Sequence, residues 1–178
     1  MLPGTERRTG ISAHFAAVLA LGLAVSAAPV SAQTPSPPRI TALVGAGHDM
    51  GWFGGQAEGY ILPRLSLFAG LGYTPDIEND NPTGATFAFG VRQYAGGQRH
   101  RGFLQASVSQ VMVTTRGETG SGERFYGPGI QAGYSFLAPG GLTALVSAGV
   151  GYALGLDAAD ASDDFATLFN VGIGYTWR

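Results

Sequence analysis

The closing stretch Leu168–Arg178, LFNVGIGYTWR, separates into two rows when every second residue is taken. Phe169, Val171, Ile173, Tyr175 and Trp177 form a wholly apolar row, while Leu168, Asn170, Gly172, Gly174, Thr176 and Arg178 form one that is mostly small or polar. Period two marks a strand whose two faces meet different surroundings, because successive side chains point to opposite sides. The row alone does not identify what lies on the apolar side, since a half-buried strand of a soluble protein reads the same way.

Working back from this stretch, the alternation recurs. Candidate strands run over Arg39–His48, Trp52–Leu62, Leu65–Tyr73, Thr83–Tyr94, Gly102–Thr114, Arg124–Leu137, Leu142–Leu154 and Phe165–Arg178, which makes eight. Apolar rows include Leu65, Leu67, Ala69, Leu71 and Tyr73, then Ala85, Phe87, Phe89 and Val91, then Ile130, Ala132, Tyr134 and Phe136. The opposite rows hold Ser66, Phe68 and Gly70, then Ala88, Gly90 and Arg92, then Gln105, Ser107 and Ser109, then Gly129, Gln131 and Ser135. The first two strands resist phasing. Connections alternate between tight ones (Pro63-Arg64, Ala95–Arg101, Ala138–Gly141) and longer ones (Asp49–Gly51, extensible through the glycines at 54 and 55, Thr74–Pro82, Thr115–Glu123 and Gly155–Asp164). That order predicts an up-and-down meander with turns at one rim and loops at the other.

Phe125–Leu156 carries no charge, yet it is no membrane helix: Pro139-Gly140-Gly141 divides it into pieces shorter than the roughly 20 residues a spanning helix needs, and each piece alternates with period two. Pro128 cannot donate a ladder hydrogen bond, which places the Gly127-Pro128-Gly129 step near the loop rim as a bulge.

Composition narrows the surroundings. Of 178 residues, 12% are charged, 45% are hydrophobic, 29 are Gly and none is Cys, whereas a globular domain is about 25% charged with Gly near 7%. The absence of Cys removes disulfides and thiolate metal sites. Met1–Ala32 reads as a secretory signal peptide: Arg7-Arg8 give the positive start, Ile11–Pro29 the apolar middle and Val30-Ser31-Ala32 a small-residue cleavage site. Residues 33–38 (QTPSPP) form a Pro-rich tether, and residues 39–178 the barrel domain. Removing the leader takes away Arg7, Arg8 and Glu6 and leaves eight basic and eleven acidic residues, a net charge near minus three.

A soluble up-and-down barrel turns apolar residues inward and puts charge on its outer wall. Here the strand bodies hold almost no charge beyond Glu58 and Arg92, and the second face is largely Gly, Ser, Gln, Asn and Thr. An eight-strand barrel has an interior only wide enough for side chains to fill, so small and polar residues suit the inside and bulky apolar ones suit lipid. The expected fold is therefore all-β, an eight-stranded antiparallel transmembrane barrel. Aromatics gather at the expected boundaries, with Trp52, Phe53, Tyr73, Phe125, Tyr126 and Tyr152 towards the loop rim. Tyr60, Tyr94, Phe103, Tyr134, Phe136, Tyr175 and Trp177 lie towards the turn rim. Charge divides as well: the loops carry Asp49, Asp76, Glu78, Asp80, Glu118, Glu123, Asp157, Asp160, Asp163 and Asp164, and the turn rim carries Arg39, Arg64, Arg99, Arg101 and Arg178.

The ending Asn170-x-Gly172-x-x-Tyr175-x-Trp177 resembles the carboxy-terminal signal of bacterial outer-membrane barrels, and the mature chain resembles the small eight-stranded barrels of the OmpA, OmpX and opacity-protein type. The chain departs from that pattern in ending on Arg178 after the aromatic. The resemblance implies a monomer in the Gram-negative outer membrane with both termini periplasmic, surrounded by lipid and lipopolysaccharide. It also implies insertion by the barrel assembly machinery, which would read Asn170, Gly172, Tyr175 and Trp177.

The chemistry-bearing residues are few. Glu58 and Arg92 are expected to form an ion pair in the lumen. His48-Asp49 at the loop rim is the one candidate for a catalytic centre of the lipid A-modifying barrel type; no Ser has a recognisable motif with His48, and a solvated loop histidine is the simpler reading. Asp76-x-Glu78-x-Asp80 has alternating carboxylates but lacks the Gly and terminal Glu of a calcium loop. No basic stripe, nucleotide-binding loop or zinc spacing is present, so neither a cofactor nor a nucleic-acid partner is expected. A pore for large solutes needs about twice as many strands. The expected role is structural or surface-interacting, with a lipid A-modifying enzyme and a soluble periplasmic lipocalin-like barrel as the alternatives.

Overall fold

The computed structural model describes residues 40–75, 84–114, 122–152, 154 and 165–178, with the side chains of 110–114 and 122–125 outside that description. The expected leader and tether, the carboxylates at 76, 78 and 80 and those between 157 and 164 lie outside the described residues.

Eight strands, β1 (Ile40–Gly47), β2 (Gly51–Leu62), β3 (Leu65–Thr74), β4 (Gly84–Gly96), β5 (His100–Thr114), β6 (Gly122–Leu137), β7 (Leu142–Tyr152) and β8 (Phe165–Trp177), close into one antiparallel barrel. Each pairs with its neighbours in sequence, and the ring closes where β8 meets β1 in continuous register from Ile40↔Trp177 to Gly47↔Asn170. Closure leaves no row of unpaired backbone groups at a sheet edge.

The side-chain alternation follows. In β8, Phe169, Val171, Ile173, Tyr175 and Trp177 are exposed while Leu168, Asn170, Gly172 and Thr176 are buried. In β3, Leu67, Ala69, Leu71 and Tyr73 point out, and Ser66, Phe68 and Gly70 point in. The two strands that resisted phasing now have faces: Thr41 and Leu43 in β1, and Gln56 and Glu58 in β2, are inside. Their ladders carry register shifts, between Gly45 and Gly47 in β1 and at both ends of β2. Such irregularity breaks strict period two, which is why these strands were hard to phase.

Several expectations are corrected. The β4–β5 turn is tighter than Ala95–Arg101, because β4 runs to Gly96 and β5 begins at His100. The glycines at 54 and 55 belong to β2 and do not lengthen the first loop. Pro128 stands opposite Val108 with no register shift on that side, so there is no bulge. Its missing donor falls instead where the β6–β7 ladder stops at Gly129↔Gly151 and continues only as the bridge Tyr126↔Leu154.

The lumen is filled in layers. Near the turn rim Leu43, Tyr94, Phe103 and Leu145 form an apolar cluster with Tyr60 against it, so Tyr94 and Phe103 are plug residues and not part of an outer girdle. Arg101, expected on the rim, is buried among them: its guanidinium lies 4.4 Å from the Tyr94 ring and donates to the Tyr60 hydroxyl at 2.9 Å. Beside this cluster Thr41, Thr143 and Thr176 join hydroxyls at 2.8 and 2.6 Å.

Candidate functional site

The middle of the lumen holds a connected set of polar side chains. Arg92 of β4 and Glu58 of β2 meet at 2.8 Å, each about 1% exposed. Both occupy inward positions, and register brings them into range: Ser66 of β3 stands directly opposite Arg92, and Phe68 directly opposite Glu58. Glu58 also accepts from the Tyr94 hydroxyl at 2.7 Å and from Ser66. The Arg92 guanidinium lies between two rings, 4.7 Å from the Phe68 centroid and 4.6 Å from that of Phe103, and donates through Nε and Nη2 to Gln105 Oε1 at 3.1 and 2.6 Å. A buried charge is tolerated when its donors and acceptors are met, and Arg92 has a carboxylate, an amide and two aromatic faces.

Gln105 passes the network on. Its Nε2 donates at 2.7 Å to Oδ2 of Asp49. Asp49 was expected among the solvated loop carboxylates; it is instead 1% exposed inside the barrel, and its neighbour Met50 is completely buried. The short β1–β2 connection therefore turns into the lumen. Asn170 of β8 clasps Asp49 from both sides: the Asp49 backbone N–H donates to Asn170 Oδ1 at 2.8 Å, and Asn170 Nδ2 donates to Asp49 Oδ2 at 2.9 Å. Asn170 and Ser147 both donate to Gln131 Oε1 at 2.8 Å, which carries the chain across β6 and β7.

The inward turn needs room that only glycine leaves. A Cβ on Gly72 would fall on the carbonyl oxygen of Met50, and one on Gly70 on that of Asp49. Gly51 ends the turn at a φ of 66°, in the left-handed region where L side chains are disfavoured. His48, at the mouth of the same turn, donates its backbone N–H to the Phe169 carbonyl at 2.9 Å, and its Nδ1 accepts from the Phe169 N–H at 3.3 Å. It is tied to the β1–β8 seam and is not a free, solvated side chain.

The four residues of the carboxy-terminal pattern are divided by the wall. Asn170 and Gly172 face the lumen, where Gly172 abuts Met50, while Tyr175 and Trp177 are exposed outside with ring centroids 5.1 Å apart. Sequence reading missed Asp49 and Gln105 as members of the polar centre, and Met50 as the apolar side chain buried beside it. The available signal was the clearing of side chains at Gly70 and Gly72, opposite a three-residue connection.

No model of a protein family matches this chain, and no curated protein does. Among solved structures it is similar to the N-terminal β-barrel domain of Pseudomonas aeruginosa OprF, with a TM-score of 0.52 and 15% identity over 78% of this chain and 95% of that one. The chain shares the fold of that domain.

Proposed function

We propose that this chain is an integral outer-membrane β-barrel protein with a structural or surface-interaction role and no enzymatic one. The observation that carries the reading is the inversion of the wall. Among the described residues eighteen buried side chains are polar or charged and nine are apolar, while large apolar side chains such as Leu71, Phe89, Val150, Phe169 and Ile173 stand exposed on every side. A monomeric soluble protein rarely exposes a contiguous apolar patch above a few hundred Å², and a lipocalin-like barrel would reverse both faces. Lipid around the wall makes the arrangement favourable. Arg92, Phe103 and the Asp49 turn fill the lumen, which supports a role other than solute passage. In this reading the barrel is a monomer placed by the barrel assembly machinery, with periplasmic termini and acidic loops facing lipopolysaccharide. His48, engaged at the seam, has no catalytic part.

The chain has two tryptophans, Trp52 and Trp177, 54% and 50% exposed at opposite ends of the barrel. After refolding into phosphatidylcholine vesicles, confirmed by a heat-modifiable gel shift, both are expected to be quenched by acyl-chain-brominated lipid and shielded from aqueous iodide. Strong iodide quenching with none from brominated lipid would overturn the reading in favour of a soluble barrel. His48→Ala is expected to leave lipid A acylation in expressing cells unaltered; a changed acylation pattern would restore the enzyme alternative.

A further inference from the structure

The turn rim carries a charge pattern that a merely structural barrel does not use. Arg64 in the β2–β3 turn is half-buried, and Arg99 in the β4–β5 turn and Arg178 after β8 are exposed. Among the described residues none of the three pairs with a side-chain carboxylate, and none of the described side-chain carboxylates is at this rim: Asp49 and Glu58 are both in the lumen. The rim is held in place. Tyr94 N–H donates to the Arg64 carbonyl at 2.7 Å, Leu137 N–H to that of Arg99 at 2.8 Å, and Thr176 N–H to that of Gly141 at 2.8 Å. The backbone points from which the cations extend are therefore set around a ring.

Next to them on the outer wall is an aromatic band. Tyr175 and Trp177 precede Arg178, and His100 next to Arg99 touches the Tyr134 hydroxyl and lies 5.2 Å from the Phe136 ring. Amphipathic rings beneath basic side chains match the boundary between acyl chains and charged headgroups.

We propose that this rim binds anionic phospholipids, with Arg64, Arg99 and Arg178 each meeting a headgroup phosphate and the aromatic band lying against the upper acyl chains. The inference rests on the membrane reading above and adds to it a lipid preference confined to one rim. Arg64 and Arg99 are two strands apart, Arg178 and Arg64 about two and a half across the β8–β1 seam, and Arg99 and Arg178 about three and a half, roughly 10 to 17 Å around the ring at the usual strand spacing. That spread suits one phosphodiester per Arg better than the clustered phosphates of lipid A, which call for cations side by side.

The two tryptophans give a rim-resolved test. Trp52→Phe leaves Trp177 as reporter of the turn rim, and Trp177→Phe leaves Trp52 for the loop rim. Each variant is refolded into phosphatidylcholine vesicles containing a small fraction of brominated phosphatidylglycerol or, separately, brominated phosphatidylcholine. Phosphatidylglycerol is expected to quench Trp177 in excess of phosphatidylcholine and Trp52 equally with either lipid. Adding Arg64→Gln, Arg99→Gln and Arg178→Gln, with the gel shift retained, removes the excess, by roughly fivefold in local enrichment per Arg as expected for a basic residue at an anionic surface. Equal quenching of Trp177 by both lipids overturns the proposal, as does an excess that survives the triple substitution, or one displaced by unbrominated lipid A but not by unbrominated phosphatidylglycerol. Absence of quenching of either tryptophan by either lipid would instead defeat the membrane reading itself.

Discussion

The lumen contains two acids that end at the same amide by different routes. Glu58 is carried by a strand, its direction decided by parity, and it reaches Gln105 through the Arg92 guanidinium. Asp49 is carried by a turn, its direction decided by whether the turn bends inward, and it reaches Gln105 directly. The first depends on register, which dozens of backbone hydrogen bonds protect; the second depends on clearance over Gly70 and Gly72 and on the Asn170 clasp. A strand-borne group cannot leave without opening the barrel, whereas a turn-borne group can swing out and leave the wall standing. The two sites should therefore fail differently.

The harshest way to break the comparison is Arg92→Ala. It leaves Glu58 buried without its cation and opens space between Phe68 and Phe103, and a loss of about 3–5 kcal/mol is expected, measured by urea unfolding of the detergent-folded barrel. A cost below about 1 kcal/mol would mean that water replaces the guanidinium freely and that the strand-borne site is not specially protected. Asp49→Ala should cost less, about 1–3 kcal/mol, because Gln105, Gln131 and Asn170 lose an acceptor but are neutral. The two variants should also differ in kind: hydrogen exchange should rise across the wall in Arg92→Ala and only around residues 48–50 in Asp49→Ala.

What could be read in advance follows the same division. Period two exposed the wall, its inside and its outside, because every strand residue has its direction set by its neighbours. It also put Arg92 on an inward position; Glu58, on a strand that resists phasing, is expected in the lumen only as the partner of that charge. Tyr94, Phe103 and Arg101 were misplaced at the rim although parity places them inside: Tyr94 is two residues from Arg92, and Phe103 and Arg101 are two and four from Gln105. Closeness to a strand end is a weaker guide to a side chain's direction than parity is. Asp49 was illegible for another reason. A three-residue turn has no period, and an acid beside a loop is ordinarily solvated, so only the unusual emptiness of Gly70 and Gly72 hinted at an occupant from elsewhere.

That emptiness can be tested by filling it. Gly72→Ala puts a methyl group where the Met50 carbonyl lies, so either the turn or the β3 backbone must move; overpacking of this kind costs about 1–3 kcal/mol. Met50 is fully buried, and its peroxide oxidation rate should rise sharply in the variant, without any change in the heat-modifiable shift of the barrel. On an Asp49→Ala background the added cost should shrink, because residues sharing one device are not additive. Full additivity would show that Gly72 serves the β3 backbone and that the turn enters the lumen for reasons unrelated to it.

The smallest expected effect separates charge from shape. Asp49 Oδ2 takes the amide donors while Oδ1 is buried without a partner among the described residues. Asp49→Asn can keep its oxygen at the occupied position and place its NH2 at the other, so a cost of about 1 kcal/mol or less is expected from a replaced charge-assisted bond. Glu58→Gln can likewise turn its NH2 to the Tyr94 and Ser66 hydroxyls, which can accept, and keep its oxygen towards Arg92, but it removes the only carboxylate in contact with that buried cation among the described residues. Its cost should exceed that of Asp49→Asn under the same conditions. The reverse order would show that the charge of Asp49, acting on Arg92 through Gln105, holds the turn inside the barrel, and that the two acids form one electrostatic site and not two differently supported ones.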